Sequence, residues 1–130
     1  MLVTSPNIRP FVRGIVERFR LLAGSAIAEP ERPVGALWMG EARVAPATVS
    51  AAHHHGHSET GIYVVSGTPA WVFLEQGEEV RLQAGPGDYV YVPPFVPHRE
   101  ENPSADLEAV VVIARTTQEA IVVNLPSLRP

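Results

Sequence analysis

The 130-residue chain is long enough for about one compact domain, and it is too short for an eight-unit βα barrel, which needs about 250 residues. Its formal net charge is −4 and it has no run of Lys and Arg, so nucleic acid is not expected as a partner. The chain has no cysteine, which excludes disulfides, thiolate metal sites and a cysteine nucleophile.

The first segment, residues 1–34, is predicted to be an arm outside the main domain. Its apolar residues have no clean period and fit a short strand as well as a helical turn. The apolar run Leu21–Ala28 is far shorter than the ~18 residues of a membrane span. Because Pro6, Pro10 and Glu17 precede that run, we do not interpret it as a signal peptide. We therefore expect a cytoplasmic protein with no membrane partner.

Residues 35–130 are predicted to form one β-barrel domain. The 13 prolines and 10 glycines of the chain favour short strands separated by turns over long helices. The predicted strands are Ala36–Val44, Ala47–Ala52, Ile62–Ser66, Ala70–Glu75, Val80–Leu82, Tyr89–Val92, Leu107–Ala114 and Ala120–Asn124. A series of short strands with this spacing indicates an all-β sandwich or barrel.

Four of the five histidines lie in one internal run, and the run contains a candidate metal-binding pair. His53 and His55 are two residues apart, so on an extended strand their side chains share one face, while His54 points the other way. Two imidazoles on one face can chelate a first-row metal. A solvated surface patch is the alternative interpretation of the same run.

The fifth histidine, His98, ends the proline-dense segment Pro93-Pro94-Phe95-Val96-Pro97-His98. Three prolines in five residues restrict the backbone, which suits a side chain held in fixed geometry. A structural or surface role is the alternative for a single histidine. Together with the first pair, His98 is a candidate third ligand.

These two segments resemble the two sequence motifs of the cupin superfamily. The first segment has the family's spacing at His53, His55 and Gly67. The second has it at Gly87, Pro93, His98 and Asn102, with Phe95 at the family's glycine position. The resemblance implies a double-sheet jelly-roll barrel, also called a double-stranded β-helix. It also implies a metal inside the barrel, held by His53, His55 and His98.

The chain departs from the family pattern at the carboxylate ligand. Thr60 stands at the position where the family has glutamate, and Glu59 is one residue away, which on a regular strand directs it to the other face. A β-bulge after Gly56 would bring Glu59 inward as a fourth ligand; otherwise Glu59 is a solvated residue at the rim. His57 is an alternative fourth ligand. We favour a site of three histidines whose open positions are filled by water or substrate, with Glu59 as the candidate fourth ligand.

Glu100 is the second carboxylate of interest, because on a continuing strand it shares the inward face of His98. A carboxylate near a metal can act as a base or as an extra ligand, so Glu100 and Glu59 are the candidate catalytic residues. A hydrated group at the barrel mouth is the alternative for Glu100. Glu101 is expected to face outward.

The surroundings of the metal are predicted to be small and apolar. Ile62 and Val64 share the parity of Thr60 and are candidate wall residues, whereas Tyr63 and Val65 point to the opposite face. On the strand Tyr89–Val92, the two valines are likewise expected to face inward and the two tyrosines outward. The larger aromatic residues Trp38, Trp71 and Phe73 are interpreted as core or interface residues.

The predicted function is that of a metalloenzyme acting on a small oxygenated organic molecule, by dioxygenase-like or isomerase- or cyclase-like chemistry, as on similar cupins. A non-catalytic cupin whose metal anchors a ligand or braces the fold is the alternative, and a structural role with an empty site is a third. The cofactor is one divalent transition metal; without thiolates, Fe, Mn, Ni, Zn and Cu all fit. The partners expected are a small-molecule ligand and a second copy of the chain, with the arm of residues 1–34 adding to the partner's sheet edge in a homodimer.

Overall fold

The computed structural model describes residues 36–130 and three short strands that precede them. In chain order the strands are β1 (Val12–Val16), β2 (Phe19–Arg20), β3 (Ile27–Ala28), β4 (Trp38–Val44), β5 (Thr48–Val49), β6 (His53–His54), β7 (Thr60–Ser66), β8 (Ala70–Glu75), β9 (Glu78–Gln83), β10 (Tyr89–Val92), β11 (His98–Asn102), β12 (Ala109–Arg115) and β13 (Val123–Asn124). The described part of the chain contains no helix, and so none that could cross a bilayer.

The strands form two main antiparallel sheets. A five-stranded sheet has the order β1-β4-β12-β7-β10, and a six-stranded sheet has the order β13-β6-β11-β8-β9 with β5 also paired to β11. Strands β2 and β3 form a separate two-stranded sheet. The all-β, double-sheet architecture predicted from the sequence is confirmed.

The core lies between the two main sheets because side chains alternate in direction along each strand. In β7, Ile62 and Val64 are buried whereas Tyr63 and Val65 are exposed, as predicted. The same alternation holds in β10 and β12, and the resulting core cluster contains Trp38, Ala42, Val44, Ile62, Val64, Trp71, Ala84, Val90, Val92, Ala109, Val111 and Ile113. The interpretation of Trp38 and Trp71 as core residues is confirmed.

Gly67 fixes how closely β7 and β12 approach at the end of the first motif. Its φ is +84°, a conformation that L side chains rarely adopt, and a Cβ at this position would lie 2.7 Å from the Cα of Ala109. A side chain therefore does not fit here without a shift of β12.

Two strand predictions differ from the structure. Of the strand predicted over Ala47–Ala52 only Thr48–Val49 (β5) is a strand, and a separate short strand, β6, begins after it at His53. The predicted set also lacks β11, whose sequence has no apolar residue; its inward-facing residues are His98, Glu100 and Asn102. Hydrophobic alternation gives no signal for a strand whose buried side chains are all polar.

Most of the predicted arm, residues 1–34, lies outside the described residues. Within it, β1 pairs with β4 of its own chain, from Val12 opposite Val44 to Val16 opposite Glu41, and so extends the five-stranded sheet by one edge strand.

Candidate metal centre

Four polar side chains meet in the interior of the protein, and they come from two adjacent strands of the six-stranded sheet. His53 lies in β6 and His55 is the first residue after that strand, while His98 and Glu100 lie in β11. In the ladder between these strands, His53 is paired with His98, which places the two imidazoles side by side. Each of the four side chains is at most 2% exposed.

The ligand atoms of this group are close enough to share one ion. The Nε2 atoms of His55 and His98 are 3.2 Å apart. Oε1 of Glu100 is 3.4 Å from Nε2 of His53 and 3.4 Å from Nε2 of His98. One ligand atom of each residue lies within 4.8 Å of those of the other three. Atoms bound to a common ion at roughly 2.1 Å lie about 3.0 to 3.4 Å from each other, so the spacing fits a metal site.

The Nε2 atoms of the three histidines carry in-plane lone pairs, because the Nδ1 atoms donate to the main chain. His53 Nδ1 donates to the carbonyl of Ala51 at 2.8 Å, His55 Nδ1 to Ile121 at 2.9 Å, and His98 Nδ1 to Val96 at 2.9 Å. A carbonyl only accepts, so Nδ1 is protonated in each ring, and in the neutral ring Nε2 is then a bare acceptor. Metal-ligating histidines are oriented by this kind of bond.

The charges in the group also favour a cation. Burial opposes the ionisation of Glu100, but its interactions with His53 and His98 outweigh it and hold the Glu100 pKa at about 2. Burial also opposes a charged His53, yet Glu100 raises the His53 pKa above its usual value. Burial lowers the pKa of His98, and burial together with the charge of His98 lowers that of His55 to about 3. The site therefore keeps one buried carboxylate and two imidazoles that resist protonation.

His53 gives an independent test of whether a metal fits. Its Nε2 is fully buried, lies 3.4 Å from Oε1 of Glu100, and makes no hydrogen bond to any residue that the structure describes. Buried polar atoms in folded proteins normally have a partner. Three imidazole nitrogens and one carboxylate oxygen are donors that first-row divalent metals accept, so the residues present fit such an ion.

Ser50 and Asn102 hold the strand that carries the carboxylate. The main-chain N–H of Glu100 donates to Oγ of Ser50 at 2.9 Å, and the N–H of Ser50 donates to the carbonyl of Glu100 at 2.9 Å. The Asn102 amide donates to the carbonyls of Val44, Ala45 and Leu107. The sequence motif contains Asn102 but gives it no role, and Ser50 lies in no motif, because hydrogen bonds between distant segments leave no local sequence pattern.

The structure brings together His53, His55 and His98, and the carboxylate beside them is that of Glu100. Glu59 lies elsewhere: it is exposed, and its carboxylate accepts a hydrogen bond of 2.6 Å from the Tyr91 hydroxyl. In this arrangement Glu59 corresponds to the alternative of a rim residue, because no bulge turns it inward. Thr60, at the family's glutamate position, is buried.

The remaining polar residues near the site also lie outside the group. His57 is exposed, and His54 is turned away with its Nδ1 accepting from the N–H of Gly56 at 3.0 Å. Glu101 faces outward as expected, where it pairs with Arg81 and Arg99.

A family model described as the cupin domain matches residues 40–114, which is more than half of the chain. The chain belongs to the cupin family. The match contains all four residues of the candidate centre and the turns that connect them. A comparison with curated proteins finds no match for this cupin.

Solved structures similar to this cupin include two oxalate-converting enzymes. A recombinant oxalate oxidase in complex with glycolate is 17% identical, with a TM-score of 0.63 over 95% of this chain and 58% of that one. Oxalate decarboxylase from Bacillus subtilis, described in one structure by its Mn(II) centres, is 23% identical, with a TM-score of 0.60 over 70% of this chain and 24% of that one. Peruvianin-I, a cysteine peptidase from Thevetia peruviana latex, is 14% identical, with a TM-score of 0.59 over 69% and 56% of the two chains.

This cupin thus spans between about a quarter and somewhat over half of the length of these structures. At these identities the likeness establishes the fold of the barrel.

Proposed function

We propose that this cupin is a metal-dependent enzyme that acts on a small oxygenated organic molecule inside its barrel. The observation that carries the proposal is the convergence of three Nε2 lone pairs and the Glu100 carboxylate in a fully buried group. A divalent transition metal bound there would supply Lewis acidity or redox chemistry to a coordinated substrate. Dioxygenase-like and isomerase- or cyclase-like reactions are the two classes that we propose.

The chain's own residues define what such an enzyme would do around the metal. Hydrogen bonds from the Nδ1 atoms to main-chain carbonyls keep the three rings in one orientation, so little reorganisation is needed on metal binding. Glu100 balances part of the cation's charge. The apolar side chains Ile62, Val64 and Val92 line the interior and limit the access of water.

The similar structures support a small acid as one candidate substrate. Two of them are described as an oxalate oxidase and an oxalate decarboxylase, and the latter is described with Mn(II) centres. Peruvianin-I shows that a shared fold does not transfer chemistry, because its description as a cysteine peptidase cannot apply to a sequence without cysteine.

A non-catalytic binding protein is the second candidate function. The same buried group would let a metal anchor a ligand or brace the barrel without turnover, and fold alone does not separate the two. Turnover is therefore the deciding measurement.

The experiment measures metal content and turnover in untagged protein. We expect about one metal ion per chain in the wild type, loss of metal in the His53→Ala and His98→Ala double variant, and retention in the control His57→Ala, whose side chain is exposed. Protein loaded with Fe, Mn, Ni, Zn or Cu is then assayed with oxalate and other small acids, diketones, phenols and thiols, following product formation and oxygen consumption. Unchanged metal content in the double variant would contradict both candidate functions, and ligand binding without turnover would select the binding protein.

We also propose a homodimer in which the arm of residues 1–34 takes part. The outer face of the five-stranded sheet supports it, since it presents a cleft of about 350 Å³ that includes the exposed side chains of Met39, Tyr89 and Tyr91. Exposed apolar surface of this kind marks interaction sites. Light scattering measures the mass of the full chain and of a chain that lacks the arm. We expect a dimeric mass only for the full chain, and a monomeric mass for the full chain would contradict the proposal.

A further inference from the structure

Two buried polar groups in the interior between the sheets have no partner among the described residues. The indole Nε1 of Trp71 and the hydroxyl of Thr60 are both inaccessible, and neither makes a hydrogen bond to the residues that the structure describes. Trp71 is 0% exposed and Thr60 is 1% exposed. Leaving such groups unpaired in the interior is unfavourable, and unpaired groups in a native structure call for an explanation.

Trp71 is next to the carboxylate of the centre. It lies in β8 directly opposite Glu100 of β11, and paired residues of an antiparallel ladder project from the same face of the sheet. The Trp71 side chain therefore enters the interior beside Glu100. An indole N–H is a donor only, so any group that pairs with it must be an acceptor.

Thr60 enters the same interior from the opposite sheet. It begins β7, five residues after His55, and it has the inward parity of Ile62 and Val64, which are both buried. Its hydroxyl can donate to an acceptor or accept from a donor. The two unpaired groups thus project into the interior between the sheets, one from each sheet.

We propose that the Trp71 N–H and the Thr60 hydroxyl bind the oxygen atoms of the metal's ligand, and that this ligand is a small organic monoanion such as a carboxylate or an enolate. The inference rests on the function proposed above. A divalent ion held by three neutral imidazoles and the Glu100 carboxylate retains one positive charge, which a monoanion neutralises. The tryptophan then donates to an acceptor oxygen, and the apolar walls restrict the ligand to a small molecule.

In this arrangement Trp71 and Thr60 are positioning groups of the ligand and not ligands of the metal. Their removal should therefore leave metal binding intact and weaken the binding of an anion. In the protein without ligand, removal of the Thr60 hydroxyl should instead increase the stability of the fold. Without ligand, replacing the Thr60 hydroxyl by a methyl group of similar size removes an unpaired buried group, which is stabilising.

The test uses Thr60→Val and Trp71→Phe in the full chain, with Thr68→Val as a control at an exposed threonine. Metal content is measured first, and acetate is then titrated into metal-loaded protein by calorimetry, with acetamide as the neutral probe of the same shape. We expect wild-type metal content in all variants, acetate binding in the wild type that exceeds acetamide binding, and roughly fivefold weaker acetate binding in Thr60→Val and in Trp71→Phe. Thr68→Val should match the wild type.

The melting temperature of the metal-free protein gives a readout that does not depend on loading. We expect Thr60→Val to melt at a higher temperature than the wild type. A lower melting temperature together with unchanged acetate affinity would show that the hydroxyl has a structural partner and would overturn the inference. Equal acetate affinity in all metal-loaded proteins overturns the inference but leaves the proposed function standing, whereas wild-type protein that binds no metal overturns both.

Discussion

The Nε2 atoms of His55 and His98 lie 3.2 Å apart, and in the neutral rings neither has a proton to share, because each Nδ1 donates to a main-chain carbonyl. Two acceptors at this distance in a buried site repel each other. A cation between them converts the repulsion into two favourable contacts. The pair therefore links metal binding to the stability of the fold.

Metal addition should accordingly stabilise the protein. A metal that binds the folded state but not the unfolded state adds about 2.7 kcal/mol to the free energy of unfolding when its free concentration is 100 times its dissociation constant. We expect the melting temperature to rise on addition of a divalent first-row metal and to fall again with a chelator. The His98→Gln variant should show a much smaller rise, and an equal rise in both proteins would indicate binding elsewhere.

The carboxylate ligand can be identified by comparing two glutamates. We expect Glu100→Gln to weaken metal binding by about tenfold or more, because it removes the buried negative charge that attracts the ion. Glu59→Gln should have little effect, since Glu59 is exposed and bonded to Tyr91. Competition with a coloured chelator measures both affinities. A stronger effect at Glu59 would instead place that residue in the site.

The metal-free protein should lose stability as the pH falls below about 6.5. The pKa of His55 is lowered to about 3 and that of His98 is also lowered, so both rings bind protons more readily in the unfolded chain. Each proton taken up only on unfolding costs about 1.4 kcal/mol per pH unit. Glu100, with its pKa held at about 2, adds to the loss below pH 4.5.

His53 acts in the opposite sense in a different pH range. Its pKa is raised, so its contribution is present below 6.5 and is lost as the pH rises through the raised value. Urea unfolding between pH 8 and pH 4.5 in the presence of a chelator checks the balance. A His55→Gln variant should lose less stability on acidification than the wild type, and an unchanged pH profile would contradict the assignment.

Asn102 should be important for stability without touching the metal. Its buried amide donates to three main-chain carbonyls that join β4, the loop after it and the loop before β12. We expect Asn102→Ala to lower the free energy of unfolding by about 2 to 3 kcal/mol, because carbonyls lose their partner in the interior. Asn124→Ala, at an exposed position, is the control, and chemical denaturation is the measurement.

Phe95 should tolerate glycine. It stands where the family motif has glycine, and its φ is +60°, a conformation that costs a residue with a Cβ about 1 to 2 kcal/mol. Its ring is 62% exposed, so little burial is lost on truncation. After the entropic cost of glycine, we expect Phe95→Gly to raise the free energy of unfolding by up to about 1 kcal/mol. A clear loss of stability would show that the ring's contact with His54 matters more than the backbone.

The sequence predicted the strands whose buried faces are apolar. Alternation located Ala70–Glu75 and Tyr89–Val92 at the same bounds as β8 and β10. The two-residue spacing selected His53 and His55, and the proline-dense second motif added His98. Alternation placed no strand at β11, because that strand buries polar residues. Family spacing placed Thr60 at the carboxylate position, and Glu59 was a candidate only through a β-bulge after Gly56. Glu100 was a candidate because it shares the inward parity of His98. Its position beside His53, however, depends on the pairing of β11 with β6, which a single sequence does not encode locally.

The carbonyl that accepts from His55 belongs to Ile121, beyond residue 114 where the family match ends. Likewise β6, which carries His53, has β13 as its neighbour on one side. A fragment trimmed to the matched boundaries would keep all four ligand side chains, yet one imidazole would lose its orienting partner and β6 would become an unprotected edge. Anyone grafting this centre onto another scaffold must therefore transfer the chain at least as far as Asn124.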